Sequence, residues 1–370
     1  MAVTPECVIG IDYGGTQARA CVGYRDGNIG PIVSERADFS KGNEGVTEHV
    51  IRLVRESVDK ADIGLDDIAS IGIGTAGQPT KDNHIKNAAN CPFPELTFPA
   101  DLQSELHKPV AARNDVAVAV YAARERGHGR EFAHLEPRWD AAMTISTGTN
   151  LAVMYDGELL LNSGGQSPEW GHVPLNVDGN RPECGCGGRG CIETYIAGSG
   201  IANRTRKLLS RGYMKGDTYA EQAKHPILAE AARRTGLSVV DSQTEEGLSS
   251  LLRLIGNLRS EDVYRAYRRT ARDGKPDELA AKIVDETSTY MARAFGNVLG
   301  SYPNIPYVEV FGSVAENNRN LTVKAAMRKL TECRYANRDF HEPVTQFLIT
   351  ELPNIGLRGA VVLAQYSARD

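Results

Sequence analysis

Residues 7–30, CVIGIDYGGTQARACVGYRDGNIG, decide the fold. CVIGIDY is a short apolar run with β-branched residues that ends in Gly14-Gly15, which predicts a buried strand entering a tight turn. TQARACVGY alternates behind it and reaches Asp26-Gly27, so the opening predicts a β-meander. The same layout returns at 141–165, AAMTISTGTNLAVMYDGELLLNSGG: strand, Thr/Gly turn, strand, Asp-Gly turn, strand. Two meanders, each followed by helices and further strands, predict duplicated α/β domains that face one another.

Working outward, 44–60 (EGVTEHVIRLVRESVDK) sets Val46, Val50, Leu53, Val54 and Val58 at helical spacing. IASIGIGTAG (68–77) and KPVAARND (108–115) predict further strands, and VAVAVYAARERG (116–127) a helix that leaves the second. Residues 197–300 carry mostly helical patterning. PYVEVFGSVAENN (306–318) predicts a late strand with a glycine turn, and ELPNIGLRGAVVLAQYSA (351–368) a closing helix. RERGHGREFAHLEPRWD (124–140) predicts a long surface loop. Lys and Arg cluster in 204–211 and 264–272, interrupted or flanked by acids, which reads as solvated helix faces.

The chain has 370 residues, 41% hydrophobic and 24% charged, ordinary for a globular protein of about two domains. A formal charge of −5 gives no reason to expect nucleic acid or a membrane surface as partner. The first residues carry no secretion-signal pattern, and no apolar run approaches the roughly 18 residues of a membrane helix. Cys7, Cys21, Cys91 and Cys333 are scattered and the cysteine count is odd, which predicts a reducing, cytoplasmic compartment.

The remaining three cysteines crowd into ECGCGGRGC (183–191) as C-x-C-x4-C, with His172 twelve residues upstream. Structural zinc takes four ligands drawn from Cys and His, and intervening glycines let backbone fold tightly around one ion. The cluster predicts zinc on His172, Cys184, Cys186 and Cys191; a glycine-rich loop with free thiols is the alternative.

With its flanks, PEWGHVPLNVDGNRPECGCGGRGCIETYIAG (168–198) resembles the signature region of the ROK family of repressors and sugar kinases. The family pattern, E-x-G-H followed by C-x-C-G-x-x-G-C-x-E, falls on Glu169, Gly171, His172, Cys184, Cys186, Gly187, Gly190, Cys191 and Glu193. GIDYGGT and the RND strand end extend the resemblance over roughly residues 8–200. It implies an α/β fold of two ribonuclease-H-like domains of the actin/hexokinase type flanking a cleft. The small domain is expected over 1–116 together with the helix at 354–370, and the large one over 117–353 with the zinc loop at 172–191.

The resemblance also implies an ATP-dependent hexose kinase that phosphorylates the 6-hydroxyl of glucose or a related amino or N-acylamino sugar. Asp115 matches the catalytic aspartate, ionised at neutral pH as a base requires; read without the family, Asn114 or Asp115 is a helix N-cap. Gly77, Asn90, Asn114, Asp115, Glu169, His172 and Glu193 match sugar-binding positions. Asp12, Gly14, Gly15 and Thr16 resemble the first phosphate turn of the actin, hexokinase and Hsp70 superfamily, with the aspartate toward Mg2+; Thr147, Gly148 and Gly312 belong to the later nucleotide motifs. D-x-G-G-T as a bare pattern also fits a plain hairpin turn. A homodimer or higher homo-oligomer is implied as well.

The sequence departs from the family where Asn150 and Leu151 follow Thr149 in place of glycines, expected at the turn of the second phosphate loop. It departs again at Phe311-Gly312-Ser313 and at Arg113, where Glu is commoner. These departures motivate a rival reading, a nucleotide-impaired or non-enzymatic sugar sensor. With only about seven residues before the first strand, no DNA-binding module is expected.

Overall fold

The structure is a computed structural model that describes residues 7–88, 91–179, 181–210, 225–237, 245–302, 304–332 and 345–368. Both meanders form. Strands β1 (Cys7–Tyr13) and β2 (Gln17–Tyr24) pair antiparallel, and β3 (Val33–Arg36) follows on β2. β4 (Ile68–Thr75) and β8 (Val110–Asn114) join in parallel on the other side of β1, giving the order β3-β2-β1-β4-β8. Three two-residue strands, β5 (Gln78–Pro79), β6 (Ile85–Lys86) and β7 (Glu95–Leu96), form a small sheet between β4 and β8 in the chain.

The second half repeats the plan. β9 (Trp139–Ile145), β10 (Thr149–Tyr155) and β11 (Glu158–Leu159) are the meander, and β12 (Tyr307–Phe311) and β13 (Gln346–Ile349) add in parallel. Its order, β11-β10-β9-β12-β13, matches the first sheet strand for strand. This duplication is the ribonuclease-H-like pair expected from the sequence. The central strands are near-continuous apolar runs because helices cover both faces of each sheet, so Ile9, Ile11, Ile71 and Ile73 are fully buried.

In the first half, α1 (Gly42–Lys60) buries the five predicted positions Val46, Val50, Leu53, Val54 and Val58, and α2 (Phe98–Leu106) packs beside it. The helix α3 (Asp115–Arg126) follows β8 directly and its buried face, Val116 to Ala123, touches strands of both sheets. The second half holds α4 (Glu193–Ile196), α5 (Gly198–Ser210), α6 (Pro226–Thr235), α7 (Glu245–Gly256), α8 (Ser260–Arg272), α9 (Glu278–Ser301), α10 (Ser313–Asn317) and α11 (Val323–Glu332). The closing helix, α12 (Ile355–Ser367), packs back on β1, β4 and α3. Among the described residues no helix is long and apolar enough to cross a membrane.

Two expectations are corrected. The stretch 124–140 does run along the surface over most of 127–137, but it is shorter than expected and structured: α3 extends to Arg126, His128–Phe132 form a 3-10 turn, and Asp140 of β9 is completely buried, bonded to Arg124, Arg138 and the hydroxyl of Tyr307. The basic clusters are not only solvated faces. Arg204 donates to the Tyr195 carbonyl, Thr287 and Glu286 from a nearly buried position, and Arg206, Arg265 and Arg268 line a cavity. Charge counting cannot see Glu286 and Thr287, because they lie 82 and 83 residues from Arg204 in the chain.

Candidate active site

The candidate side chains sit where strands end. β1, β4 and β8 are parallel and in register, with Asp12 opposite Gly74 and Thr75 opposite Asn114, so their C-terminal ends deliver Asp12, Gly77 and Asn114–Asp115 to one edge. Binding crevices of open parallel sheets lie at that edge. Asn114 caps α3, its Oδ1 accepting from Val116 N at 3.0 Å while its Nδ2 donates to the Gly77 carbonyl at 3.1 Å. Asp115 Oδ1 also accepts from Val116 N, at 2.9 Å. The capping chemistry read from the bare sequence is therefore present.

Three carboxylates converge here. Burial pushes Asp115 up to about 6, with the charge of Asp12 next in importance and that of Glu169 adding to it; the Val116 N–H and Asn114 oppose the rise. Asp12 is also raised by burial, in part offset by Arg19, whose guanidinium lies 2.7 Å from Oδ2. Arg19 in turn donates to Asn354 Oδ1 at 3.0 Å, immediately before α12. Glu169 is exposed and accepts from Gln78 Nε2 at 3.0 Å.

Gly14 and Gly15 form the turn between β1 and β2, closed by Gly14 N donating to the Gln17 carbonyl at 2.9 Å, with Thr16 exposed beside it. The corresponding turn of the second half is Ser146–Gly148, with Ser146 N bonded to the Gly148 carbonyl at 2.9 Å. It is stitched to the start of α5 by Gly198 N to Ser146 O and Ser199 N to Thr147 O, at 2.7 and 3.0 Å. Gly312 lies across from it with φ +102°, and a Cβ there would meet the Ile145 carbonyl at 2.8 Å, so only glycine fits.

The placement of Asn150 and Leu151 at that turn is corrected. β10 begins at Thr149, so Asn150 and Leu151 pair with Thr144 and Met143 inside the ladder. Leu151 is core. Asn150 is buried, and its Oδ1 accepts from Leu151 N at 2.9 Å and from Trp170 N at 2.8 Å. It thereby pins the 3-10 turn Trp170–His172, which carries His172 and follows directly on Glu169, onto the second sheet. Gly171 is needed for the same contact, because a Cβ there would fall 1.9 Å from the Thr149 carbonyl oxygen.

His172, Cys184, Cys186 and Cys191 place one ligand atom each within 4.8 Å of one another. His172 Nδ1 lies 3.4 Å from Cys184 Sγ, and Cys186 Sγ lies 3.8 Å from Cys191 Sγ. Tetrahedral zinc with bonds of about 2.3 Å to sulfur requires ligand separations of about 3.8 Å, so the donor set fits. Glu193 begins α4 against this cluster and the second turn alike: its Oε2 accepts from Thr149 N at 3.4 Å, and Cys184 Sγ is 3.9 Å from its Oε1. Asn90 lies outside the described residues. Sequence reasoning missed Arg19 and Gln78 and put Asn150 in the wrong place, because their roles depend on pairing partners that no local pattern encodes.

Duplicated ribonuclease-H-like halves of matching strand order are the fold of the actin/hexokinase class. Within that class the chain belongs to the ROK family, whose profile matches residues 8–367. It is 30% identical over 239 residues to a glucokinase of Thermotoga maritima, which covers 61% of this chain and 70% of that protein. It is 27% identical over 186 residues to an N-acetylmannosamine kinase of Vibrio cholerae, covering 49% and 61%. Among solved structures, a ROK family glucokinase from Streptomyces griseus in complex with glucose and AMPPNP aligns with TM-score 0.70 at 20% identity, over 97% of this chain and 99% of that one. A ROK family transcriptional regulator, a homolog of the E. coli MLC protein, aligns at 0.69 and 16%, over 98% and 78%.

Proposed function

We propose that this chain is an ATP-dependent hexose kinase that transfers the γ-phosphoryl group to the 6-hydroxyl of glucose or a related amino or N-acylamino sugar. The observation that carries the reading is Asp115: a carboxyl pushed up to about 6, at the strand-end edge beside Asp12, in a ROK family chain. A base in this range is ionised at pH 7 yet basic enough to accept a hydroxyl proton, and phosphoryl transfer needs little else but positioning and charge stabilisation. Asp115 takes the proton as the sugar oxygen attacks phosphorus; capping by its own Oδ1 fixes the carboxyl's orientation and leaves Oδ2 for the substrate.

Gly77, Asn114, Glu169, His172 and Glu193, with Asn90, are assigned to the sugar side. Carboxylates and amides suit the paired hydroxyls of a pyranose. Gly14, Gly15 and Thr16 are assigned to phosphate on one side of the cleft, and Thr147, Gly148 and Gly312 to the nucleotide on the other. Mg2+ would be held from Asp12, a half-buried carboxylate paired with Arg19, and would supply charge neutralisation at the phosphates. Zinc would be held by His172 Nδ1, Cys184, Cys186 and Cys191, and supplies a rigid clip when bound. His172 then keeps Nε2 free to meet a sugar hydroxyl, its tautomer set by the other nitrogen.

We divide the chain at about residue 116, since α3 leaves the first sheet there and packs against both, and assign the closing helix to the small domain. A cytoplasmic homodimer or higher homo-oligomer is the assembly we infer from the family, which sedimentation would measure. The test of activity is ADP release coupled to a panel of hexoses. Hexose-dependent release that Asp115→Asn abolishes supports the kinase; tight hexose binding with no release by the wild type would leave the sensor reading in its place.

A further inference from the structure

A cavity of about 850 Å³ starts at Ser146 and Thr147 of the second turn and reaches α8. Its far wall carries Arg206, Arg259, Arg265 and Arg268, and Glu261 is the one carboxylate among the described lining residues. Glu261 is already shared, 3.1 Å from Arg234 and 3.7 Å from Arg265. Two of the four guanidinium groups are held by neutral partners. Arg206 donates to Asn203 Oδ1 at 2.7 Å and to the Leu258 carbonyl at 2.5 Å, and Arg268 donates to Asn318 Oδ1 at 2.7 Å. Burial lowers both from the usual arginine range, and Arg265 lowers Arg268 further.

Among the described lining residues, this wall sets four guanidinium groups against the single carboxylate of Glu261. A purine is uncharged and can use one guanidinium as a stacking partner, which leaves most of this charge unexplained. Arginine forks match phosphate oxygens in pairs, and a concave, low-dielectric setting strengthens the match. We propose that the Arg206/Arg259/Arg265/Arg268 wall is a phosphate subsite of the donor pocket, which takes a phosphoryl donor carrying phosphate beyond the group transferred. The proposal rests on the kinase reading above. Two donors offer that chemistry: a linear inorganic polyphosphate, and an adenine nucleotide with an added phosphate on its ribose. With polyphosphate, the bond between the terminal phosphorus and its bridging oxygen breaks and the sugar oxygen bonds to that phosphorus. The hydroxyl proton passes to Asp115, and the chain leaves one phosphate shorter.

The test measures hexose phosphorylation by the whole chain with ATP, with inorganic polyphosphate, and with ATP bearing a 3′-phosphate. Arg259→Gln/Arg265→Gln is the variant of choice, since both residues are exposed and the core does not depend on them. We expect one of the two extra-charged donors to show a lower KM than ATP, with a steeper rise of KM with salt. The double variant should raise that KM about tenfold or more while raising the KM for ATP less than about threefold. Active ATP turnover with neither charged donor used nor competing overturns the subsite. So does a variant that weakens ATP as much as the charged donors, because the arginines then serve the ordinary nucleotide. If no donor supports turnover, the kinase reading fails instead, and calorimetric binding of polyphosphate, kept by the wild type and lost by the variant, still decides the subsite.

Discussion

The two halves share a strand order and differ in what their first turns present. In the first half, β1 ends on Asp12-Tyr13 and the turn Gly14–Thr16 is open, its single internal bond closing on Gln17. In the second, β9 ends on Ile145, and Ser146–Gly148 is covered by Glu193 and fastened to α5 by two backbone bonds. A Cβ on Gly148 would lie 2.7 Å from Glu193 Oε2. One copy of the duplication thus supplies acid and room, and the other supplies a braced wall that also carries the Glu169–His172 segment and the arginine-lined cavity. Duplication fixed the frame and left the charge to diverge.

The largest expected effect tests the acidic half. Asp115→Asn should keep hexose affinity and cut kcat by on the order of 10²–10⁴, measured by coupled ADP release and by calorimetry with sugar alone. The same variant should unfold at a higher temperature above pH 6. An acid raised in the folded state destabilises it when ionised, so the gain is full above about 6 and absent below the unfolded value near 3.8. Near-normal turnover would leave Asp115 as only a helix cap.

The next effect tests the braced half. Cys186→Ser removes one of four converging donors, and zinc content should drop from about one per chain toward none. KM for hexose should rise about 10–100-fold as His172 loses its orientation, with a lower melting temperature alongside. Metal-free wild-type protein of full activity would sink the zinc assignment.

A smaller effect separates the two substrates. Because Asn150 holds Trp170 N and does not line the turn, Asn150→Ala should raise KM for hexose about tenfold and change KM for ATP less than about twofold. Asn150→Asp keeps the accepting oxygen and should recover most of the loss. A change in ATP alone would return Asn150 to the nucleotide turn, where its place in the motif suggests it belongs.

That reversal shows where sequence reading stops. The strands β1, β4, β8, β9 and β12, the five inward positions of α1 and the closing helix were legible because burial imposes a period on apolar residues. The Cys3His cluster was legible because metal ligands carry their spacing in the chain. Asn150 was misplaced because a turn's length is set by where ladder pairing begins, and Thr149 already pairs with Ile145. Arg19 was overlooked, and the arginine clusters were legible only as solvated faces, for another reason. Their partners, Asp12 seven residues away across a hairpin and Asn318 fifty residues beyond Arg268, are neighbours only after folding.

The smallest effect probes how the carboxylates share one edge. Burial is the main cause of the raised Asp115 carboxyl, Asp12 the second, and Glu169 the last. Glu169→Gln therefore removes the least of the three, and Asp12→Asn more. In the wild type, kcat/KM for hexose should fall on the acid side with an apparent pKa near 6, since the free enzyme loses its base as the proton returns. At pH 6 the base is half ionised, so removing a neighbouring negative charge can gain at most about twofold there relative to each variant's own plateau. We expect Glu169→Gln to move the acid limb down slightly and Asp12→Asn to move it further, whatever each does to the plateau through substrate contacts. The plateau reports lost contacts and the limb reports electrostatics, so the two are separable in one pH series. An acid limb that stays in place in both variants would mean that burial alone sets the base, and that the two halves meet at this edge without sharing its charge.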